Sequence, residues 1–167
     1  IMVKGLVPQE NITILNTYAS NTEAPKFIKQ LLIDLRNEID SNIVIVGNFN
    51  TPVTAIDRSS KPKVNKETMD LNYTLEQMDL TDIYRTFHPT TAEYTFYSTV
   101  HETISKIDHM IGHKMSINTF KKIEIMSSTL TDHSGIKLKI NSERNLQNHA
   151  NTWKLNNLFL SEHWVKN

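Results

Sequence analysis

The 167-residue chain has no cysteine, only four glycines and five prolines, and no net charge, with 18 Lys and Arg against 18 Asp and Glu. The absence of cysteine excludes a disulfide scaffold, a cysteine zinc site and a thiol nucleophile. The few glycines leave no glycine-rich phosphate loop, which excludes the Walker and Rossmann motifs. With zero net charge, the chain as a whole has no electrostatic attraction to nucleic acid or to an anionic membrane. Any such binding therefore needs a local patch of positive charge.

No run of apolar residues approaches the roughly 18 that a membrane-spanning helix needs, and residues 1–9 lack the regions of a signal peptide. We therefore expect a chain that neither crosses a membrane nor is secreted. Its 38% of hydrophobic residues suffice for a modest core, and its length indicates one domain. Because the first residue is Ile1 rather than Met, we expect a fragment of a longer protein.

Hydrophobic periodicity predicts strands that alternate with helices in the first part of the chain. Apolar and polar residues alternate over 11–18, which is typical of a half-buried strand. Apolar residues recur at helical spacing over 24–40, with Pro25 in the first turn. The β-branched run 43–46 predicts a strand that is buried on both faces. These patterns indicate a layered α/β fold.

Further elements are predicted along the rest of the chain. They are a helix at 66–78, hairpin strands at 94–97 and 104–107, and strands at 121–127 and 135–140. Residues 79–84 are predicted to lead to a turn at His88, and residues 108–111 to close the hairpin. Residues 141–151 are polar and predict a linker.

Three polar clusters each lie at the end of a predicted strand: Gly47-Asn-Phe-Asn50, Ser105-Lys-Ile-Asp-His109 and Thr131-Asp-His-Ser134. Strand ends are where layered α/β proteins place their active groups. A phosphodiester nuclease needs an oxygen ligand for Mg²⁺, a group that orients water, and an imidazole held by a carboxylate. The residues that could fill these roles are Asn50, Asp108, Asp132 and His133.

Each cluster also has a simpler interpretation. An Asp–His pair in a loop, such as Asp132 and His133, is more often a turn with a solvated imidazole than a site. Asn50 on its own would be a strand-end cap or an Asx turn. Asp108 could merely begin a turn. The residues alone therefore leave open both a nuclease site and a set of ordinary turns.

The order of these clusters carries a resemblance. It runs from Tyr18 through the strand to Gly47-Asn-Phe-Asn50, then Tyr94-Thr-Phe, Ser105-Lys-Ile-Asp-His-Met-Ile and Thr131-Asp-His-Ser. A chain with the motifs in this order resembles the endonuclease/exonuclease/phosphatase superfamily. The phrases Asn50-Thr-Pro, Asp57-Arg-Ser, Lys63-Val-Asn-Lys, Asp82-Ile-Tyr-Arg-Thr, Glu93-Tyr-Thr-Phe and Thr152-Trp-Lys-Leu-Asn-Asn-Leu are similar to the endonuclease domain of the second open reading frame protein of mammalian LINE retrotransposons. Residues 1–140 would be part of that domain, and residues 141–167 the linker towards the reverse transcriptase.

The resemblance implies a truncated four-layer α/β/β/α sandwich of the deoxyribonuclease-like type. It implies a Mg²⁺-dependent endonuclease that nicks one strand of duplex DNA to prime reverse transcription. His133 would contact the scissile phosphate, with Asp108 holding its imidazole and Asp132 beside the metal. Asn50 would orient the attacking water, and Tyr18 would contact the phosphate or stabilise the transition state.

The resemblance also implies a DNA-binding surface and partners. Thr95, Ser105 and Ile107 would belong to a hairpin in the minor groove, and Arg58 would contact the backbone. Such contacts position a duplex and sense its width and flexibility rather than a base code. The implied partners are duplex DNA and, through the reverse transcriptase, the element RNA, with no membrane. The implied locations are the nucleus and the cytoplasm.

The chain departs from the family pattern at two places. Where the family has Gly-Asp-Phe-Asn, this chain has Asn48 in the Asp position, and an amide cannot accept a proton from water. The loss of a positioned base lowers a rate by about 10² to 10⁴. The N-terminal strands that carry an Asn and a metal-binding Glu in the family have no counterpart before Tyr18. We therefore expect an incomplete sheet and an inactive endonuclease fragment; the alternative is a relic of a decayed element that at most binds nucleic acid weakly.

Overall fold

The computed structural model describes residues 2–7, 10–60, 64–100 and 102–141. Within these ranges the strands are β1 (Met2–Val7), β2 (Glu10–Tyr18), β3 (Ile43–Asn48), β4 (Leu80–Asp82), β5 (Phe96–Ser98), β6 (Thr103–Ser105), β7 (Asp108–His113), β8 (Phe120–Met126) and β9 (Gly135–Ile140). The α-helices are α1 (Ala24–Asp34), α2 (Lys66–Gln77) and α3 (Ile83–Phe87). Short 3₁₀ turns lie at Ala55–Asp57 and Lys114–Thr119.

Five strands form a central sheet in the order β1-β2-β3-β7-β4. Strands β2 and β3 run parallel, with α1 between them in the chain, whereas β1 and β7 are antiparallel to their neighbours. Two further pairs, β5 with β6 and β8 with β9, form separate hairpins. The parallel pair brings the carboxyl ends of β2 and β3 beside the start of β7. One end of the sheet therefore gathers three strand ends.

The helices α1 and α2 cover one face of the central sheet. In α1, Pro25 stands in the first turn, where a missing N–H costs no hydrogen bond. Asn65 begins α2 by accepting a hydrogen bond from the Thr68 amide, 2.8 Å away. The buried core on this face includes Ile28, Leu32, Ile43, Ile45, Phe49, Leu71, Leu75 and Ile111.

The β8–β9 hairpin covers the other face of the sheet. Ile123 is fully buried there and packs in one cluster with Val44 and Tyr84. Partly buried members of this cluster include Val46, Met110, Ile125, Ile136, Leu138 and Ile140. Because Ile43 and Val44 face opposite layers, β3 is buried on both faces, as its β-branched run predicts. Helices, central sheet and second sheet form three layers of the mixed α/β fold expected for a truncated sandwich.

Some element boundaries differ from the prediction. The helix α1 ends at Asp34 rather than at residue 40, because the polar run 36–38 offers no apolar side chain to the core and forms a turn. Residues 79–84, expected to lead only to a turn, contain β4 and begin α3. Asp82 starts α3 by accepting a hydrogen bond from the Arg85 amide, 3.2 Å away.

The clearest correction concerns residues 108–111, which belong to β7 in the middle of the sheet rather than to a hairpin closure. The sequence pattern does not predict this strand, because its first two residues, Asp108 and His109, are polar and do not match a buried strand. The segment Met2–Val7, for which the sequence predicts no element, pairs along its length with β2. Among the described residues, the second sheet consists of the two strands β8 and β9, whereas the central sheet has five strands.

The linker predicted for residues 141–167 lies outside the described residues from position 142 onward. In the part of the chain that is described, no helix is long and apolar enough to cross a membrane.

Candidate functional site

Three neighbouring strands each place one polar residue in the same row at one end of the central sheet. Tyr18 on β2 stands opposite Asn48 on β3, and Asn48 stands opposite Asp108 on β7. Alternate residues of a strand share a face, so this row lies on the side of Val46 and Met110. The row therefore faces the layer formed by β8 and β9. It lies at the end of the sheet, next to the apolar side chains that pack between the two layers.

His133 joins this row from the loop before β9. Its Nδ1 atom lies 2.8 Å from Asp108 Oδ2. The backbone of His133 forms a bridge with Phe96 of β5, and the two rings are 4.8 Å apart at their centroids. The side chains of His133 and Asp108 are 34% and 21% exposed, so solvent and ligands can reach them. The carboxylate holds Nδ1, which leaves Nε2 as the ring nitrogen that can face a ligand.

A tight turn after β3 positions Asn50. Gly47 has φ +145°, and a Cβ atom there would lie 1.8 Å from the Thr17 carbonyl oxygen, so only glycine fits. Asn48 Oδ1 accepts a hydrogen bond from the Asn50 amide N–H at 2.8 Å. Asn50 has a left-handed backbone, φ 47°, and its Nδ2 donates to the Ala19 carbonyl at 2.6 Å. The Asx turn of this cluster is therefore formed by the side chain of Asn48, not by that of Asn50 as its simpler interpretation predicts.

The metal expected beside Asp132 lacks a matching donor set. The Asp132 side chain is exposed, and its backbone carbonyl accepts a hydrogen bond from the Tyr97 amide at 3.1 Å. Across the described ranges there is no group of three or more His, Cys, Asp or Glu side chains that could hold a metal ion. Mg²⁺ prefers several oxygen ligands in near-octahedral geometry. The described residues therefore do not fit a Mg²⁺ site.

The β5–β6 hairpin lies beside the loop that carries His133, as expected for this element. The Ser134 amide donates to the Thr95 carbonyl at 2.7 Å, which continues the contact made by Phe96 and His133. At the tip, Val100 is 84% exposed and Glu102 is exposed, so the tip does not pack into the core.

Two residues expected to contact DNA are instead buried, which corrects their assignment. Thr95 is 1% exposed and Ile107 is 7% exposed, so their side chains offer almost no surface to a duplex. Thr95 Oγ1 accepts hydrogen bonds from the Ile107 and Asp108 amides, each at 3.1 Å. Thr95 therefore holds the backbone at Asp108 in place through buried hydrogen bonds, without contacting a ligand itself.

The other two expected contact residues remain near the surface. Arg58 is exposed and forms a backbone bridge with the half-buried Ser105 of β6. Arg58 and Asn50 also line the same cleft, which has a volume of about 250 Å³. The cleft thus connects the Asn50 turn with the hairpin side of the site.

A buried charged cluster that no local sequence pattern predicts lies beneath the site. Lys106 and His109 flank Asp108 in the chain, and both are at most 1% exposed. Lys106 Nζ lies 2.5 Å from Asp82 Oδ2 and 2.8 Å from His109 Nδ1. His109 Nδ1 is also 2.7 Å from Asp82 Oδ2. Burial favours the neutral acid, but Lys106 and His109 outweigh it and hold the pKa of Asp82 well below its usual range.

This cluster ties together the segments that carry the site. His109 Nε2 lies 2.9 Å from the Thr51 carbonyl, the residue after Asn50, and carbonyl oxygens only accept, so Nε2–H is the donor. Lys106 and Asp108 lie on the same segment, whose backbone continues into β7. The cluster therefore joins the Asn50 turn to the strand that bears Asp108.

A second buried ion pair supports the loop before Arg58. Asp57 is fully buried and pairs with Arg85, whose side chain is 11% exposed. Asp57 Oδ2 also accepts hydrogen bonds from the Val53 and Thr54 amides, at 3.2 and 2.7 Å. These contacts hold the short turn that precedes Arg58 in the chain.

Comparison with known proteins gives one related sequence and several shared folds. No family model matches the chain. Its sequence is 24% identical over 154 residues to the Transposon TX1 uncharacterized 149 kDa protein of Xenopus laevis. That alignment covers 89% of this chain and 12% of the transposon protein, so the chain spans about an eighth of its relative.

Several solved nuclease structures share the fold of this chain. The endonuclease domain of TRAS1, a telomere-specific non-LTR retrotransposon, has a TM-score of 0.65 at 10% identity, covering 86% of this chain and 70% of that one. The 3′-5′ exonuclease NExo from Neisseria meningitidis has a TM-score of 0.64 at 19% identity, with coverage of 84% and 71%. An AP endonuclease from Archaeoglobus fulgidus has a TM-score of 0.64 at 16% identity, with coverage of 78% and 62%. These findings confirm the predicted fold and support the resemblance of this chain to a retrotransposon endonuclease domain of the endonuclease/exonuclease/phosphatase type.

Proposed function

We propose that this chain binds a phosphate of duplex DNA at the row formed by Tyr18, Asn48 and Asp108, and that it does not hydrolyse the bond. The observation that carries the proposal is the 2.8 Å contact between Asp108 Oδ2 and His133 Nδ1. It fixes an accessible imidazole at the strand ends where Asn50 and Tyr18 also lie. A retrotransposon endonuclease fold with this arrangement fits a DNA ligand.

The polar groups of the row suit a phosphate oxygen. A protonated imidazole donates from both ring nitrogens, so His133 can hold Asp108 through Nδ1–H and donate Nε2–H to a phosphate oxygen, and a phenol can donate as well. Tyr18 is 67% exposed, so its hydroxyl is free to meet a ligand at the surface. Arg58 is exposed across the cleft from Asn50 and adds a positive charge. Such contacts hold the DNA backbone without reading its sequence.

Hydrolysis lacks two of its requirements in this chain. Asn48 stands where a carboxylate would take a proton, and its Oδ1 atom is engaged by the Asn50 amide. The described residues also offer no acidic cluster for a metal, so no metal-assisted step is assigned to them. Because an absent base alone costs about 10² to 10⁴ in rate, we expect binding without cleavage.

The similarity to a transposon protein and to the TRAS1 endonuclease fold supports a retrotransposon setting. In the longer protein, the proposed activity is Mg²⁺-dependent nicking of duplex DNA to prime reverse transcription. The element RNA would bind through the reverse transcriptase, and the protein would act in the nucleus after assembly in the cytoplasm. The relic of a decayed element, at most a weak nucleic-acid binder, is the alternative for this copy.

The proposal is tested by duplex binding, measured as fluorescence anisotropy of a labelled DNA. We expect His133→Ala to weaken binding at least about ten-fold, because a hydrogen bond to a charged group is worth about 1.5–3 kcal/mol. His113→Ala is the matched control, since His113 ends β7 and Asp108, the partner of His133, begins it. Equal effects of the two substitutions would contradict a phosphate contact at His133.

A further inference from the structure

The outward face of the β8–β9 hairpin carries four exposed lysines. Lys121 and Lys122 lie on β8, and Lys137 and Lys139 lie on β9. The intervening apolar side chains of both strands point the other way, into the core against the central sheet. We call these four residues the lysine face. They are separate from the row that holds Asp108.

Positive charge on this face is only partly offset. Glu124 lies among the lysines, with its Oε1 atom 2.5 Å from Lys122 Nζ and with Lys137 opposite it in the register. Lys139, however, stands directly opposite Lys122, and like charges in that position destabilise an antiparallel pair. The hydrogen bond from Lys122 lowers the pKa of Glu124 against the opposing effect of burial, and the charges of Lys122, Lys137 and Lys139 lower it further.

We propose that the lysine face binds the sugar–phosphate backbone of a DNA duplex as a second contact beside the His133 site. The choice of ligand rests on the function proposed above. Lysine ammonium groups are flexible point charges that suit phosphates without demanding one orientation. A polyanion laid across the face would also relieve the repulsion between Lys122 and Lys139. Since the chain has no net charge, a local patch of this kind must supply the attraction.

The composition of the face favours a duplex over other partners. The outward residues of β8 and β9 include no aromatic side chain, and single strands are usually held by stacking on aromatics. Met126 is the large apolar residue on this face, 50% exposed, which offers little to an amphipathic peptide. A duplex, whose bases are already paired, needs only the phosphate contacts that lysines provide.

The position of the face allows one duplex to reach both sites. β9 begins two residues after His133, so Lys137 lies within about 14 Å of His133 along the chain. Along β9, Lys137 and Lys139 have Cα atoms about 6.7 Å apart. Two successive ammonium groups can therefore neutralise two phosphates next to the strand held at His133.

The test is the salt dependence of duplex affinity, measured by fluorescence anisotropy from low to moderate salt. Each neutralised phosphate contributes about 0.9 to the slope of log K against log salt. We expect the double variant Lys137→Gln/Lys139→Gln to lower the magnitude of that slope by about 1.8. The matched control, Lys29→Gln/Lys114→Gln, makes the same change of net charge on α1 and beyond the far end of β7 and should leave the slope unchanged.

The outcomes separate this proposal from the proposed function. An unchanged slope in the Lys137/Lys139 variant, or equal losses in the control, would overturn the lysine face even if His133→Ala still weakens binding. A reduced slope with no effect of His133→Ala would support DNA binding by the lysine face and would contradict the phosphate contact at His133. No measurable duplex binding by the unmodified chain, or binding only to vesicles that contain phosphatidylserine, would overturn the face.

Discussion

Substitution of Lys106 by Met measures how strongly the buried charged cluster supports the site. Lys106 is fully buried, and its ammonium group is 2.5 Å from Asp82 Oδ2. Methionine keeps the length of the side chain but removes the charge, so the Asp82 carboxylate stays buried with only His109 beside it. Removal of one partner of a buried ion pair costs about 3–5 kcal/mol, because the other charge is left uncompensated.

That cost is a large part of the stability of a domain of this size. Folded domains are stable by about 5–15 kcal/mol, and for 150–250 residues each kcal/mol shifts the melting temperature by about 2–4 °C. We therefore expect Lys106→Met to melt about 6–20 °C below the unmodified chain at pH 7, as followed by circular dichroism. Lys114→Met is the matched control, because Lys114 pairs with Glu76 at the surface and should cost less than about 1 kcal/mol.

The pH dependence has a definite sign. The pKa of Asp82 is lowered in the folded chain, so its stabilising contribution is complete above the unfolded value near 4 and is lost as the pH falls. Lys106→Met removes that contribution, so the deficit should be largest at pH 7 and should shrink as the pH falls below about 4. Lys106→Met combined with Asp82→Asn should recover much of the loss, since the amide oxygen can still cap α3. A deficit no larger than that of Lys114→Met, or one that does not change with pH, would refute the cluster's role.

Three further outcomes follow from the geometry of the site. Gly47→Ala should unfold or destabilise the chain by at least about 3 kcal/mol in chemical denaturation, because its Cβ would meet the Thr17 carbonyl; a mild effect would contradict the tight turn. Thr95→Val should cost about 2–4 kcal/mol, since two buried amides lose their acceptor, and a loss below about 0.5 kcal/mol would argue against that contact. Asn48→Asp sets a second carboxylate opposite Asp108, so Mg²⁺ at ten times its dissociation constant should stabilise the variant by about 1.4 kcal/mol in thermal unfolding and leave the unmodified chain unchanged. Equal shifts in both proteins would contradict a metal site that depends on residue 48.

Local patterns in the sequence were sufficient for much of the fold. The run Ile43–Val46 predicts β3 because β-branched residues buried on both faces have no need of alternation. The strand β9 matches its predicted limits because its apolar and polar residues alternate. The strand β7 was missed because its first residues, Asp108 and His109, are polar. Their polar partners, His133 and Asp82, lie in other parts of the chain.

The site could be predicted only in part. The pairing of Asp108 with His133 is implied by the family resemblance, whereas the residues alone favour ordinary turns. The cluster of Lys106, His109 and Asp82 joins residues more than 20 positions apart, and no local pattern encodes such a contact. The burial of Thr95 depends on how the hairpin packs, which the alternation of its residues does not specify.

The most direct test of the central claim is the conversion of supercoiled to open-circular plasmid in Mg²⁺, with duplex binding measured on the same protein. We predict that the unmodified chain binds the duplex but nicks the plasmid no faster than His133→Ala, because Asn48 cannot take a proton and the described residues hold no metal cluster. Nicking by the unmodified chain that exceeds the His133→Ala control would contradict the account, since the row with Asp108 and His133 would then cleave DNA without a carboxylate at residue 48.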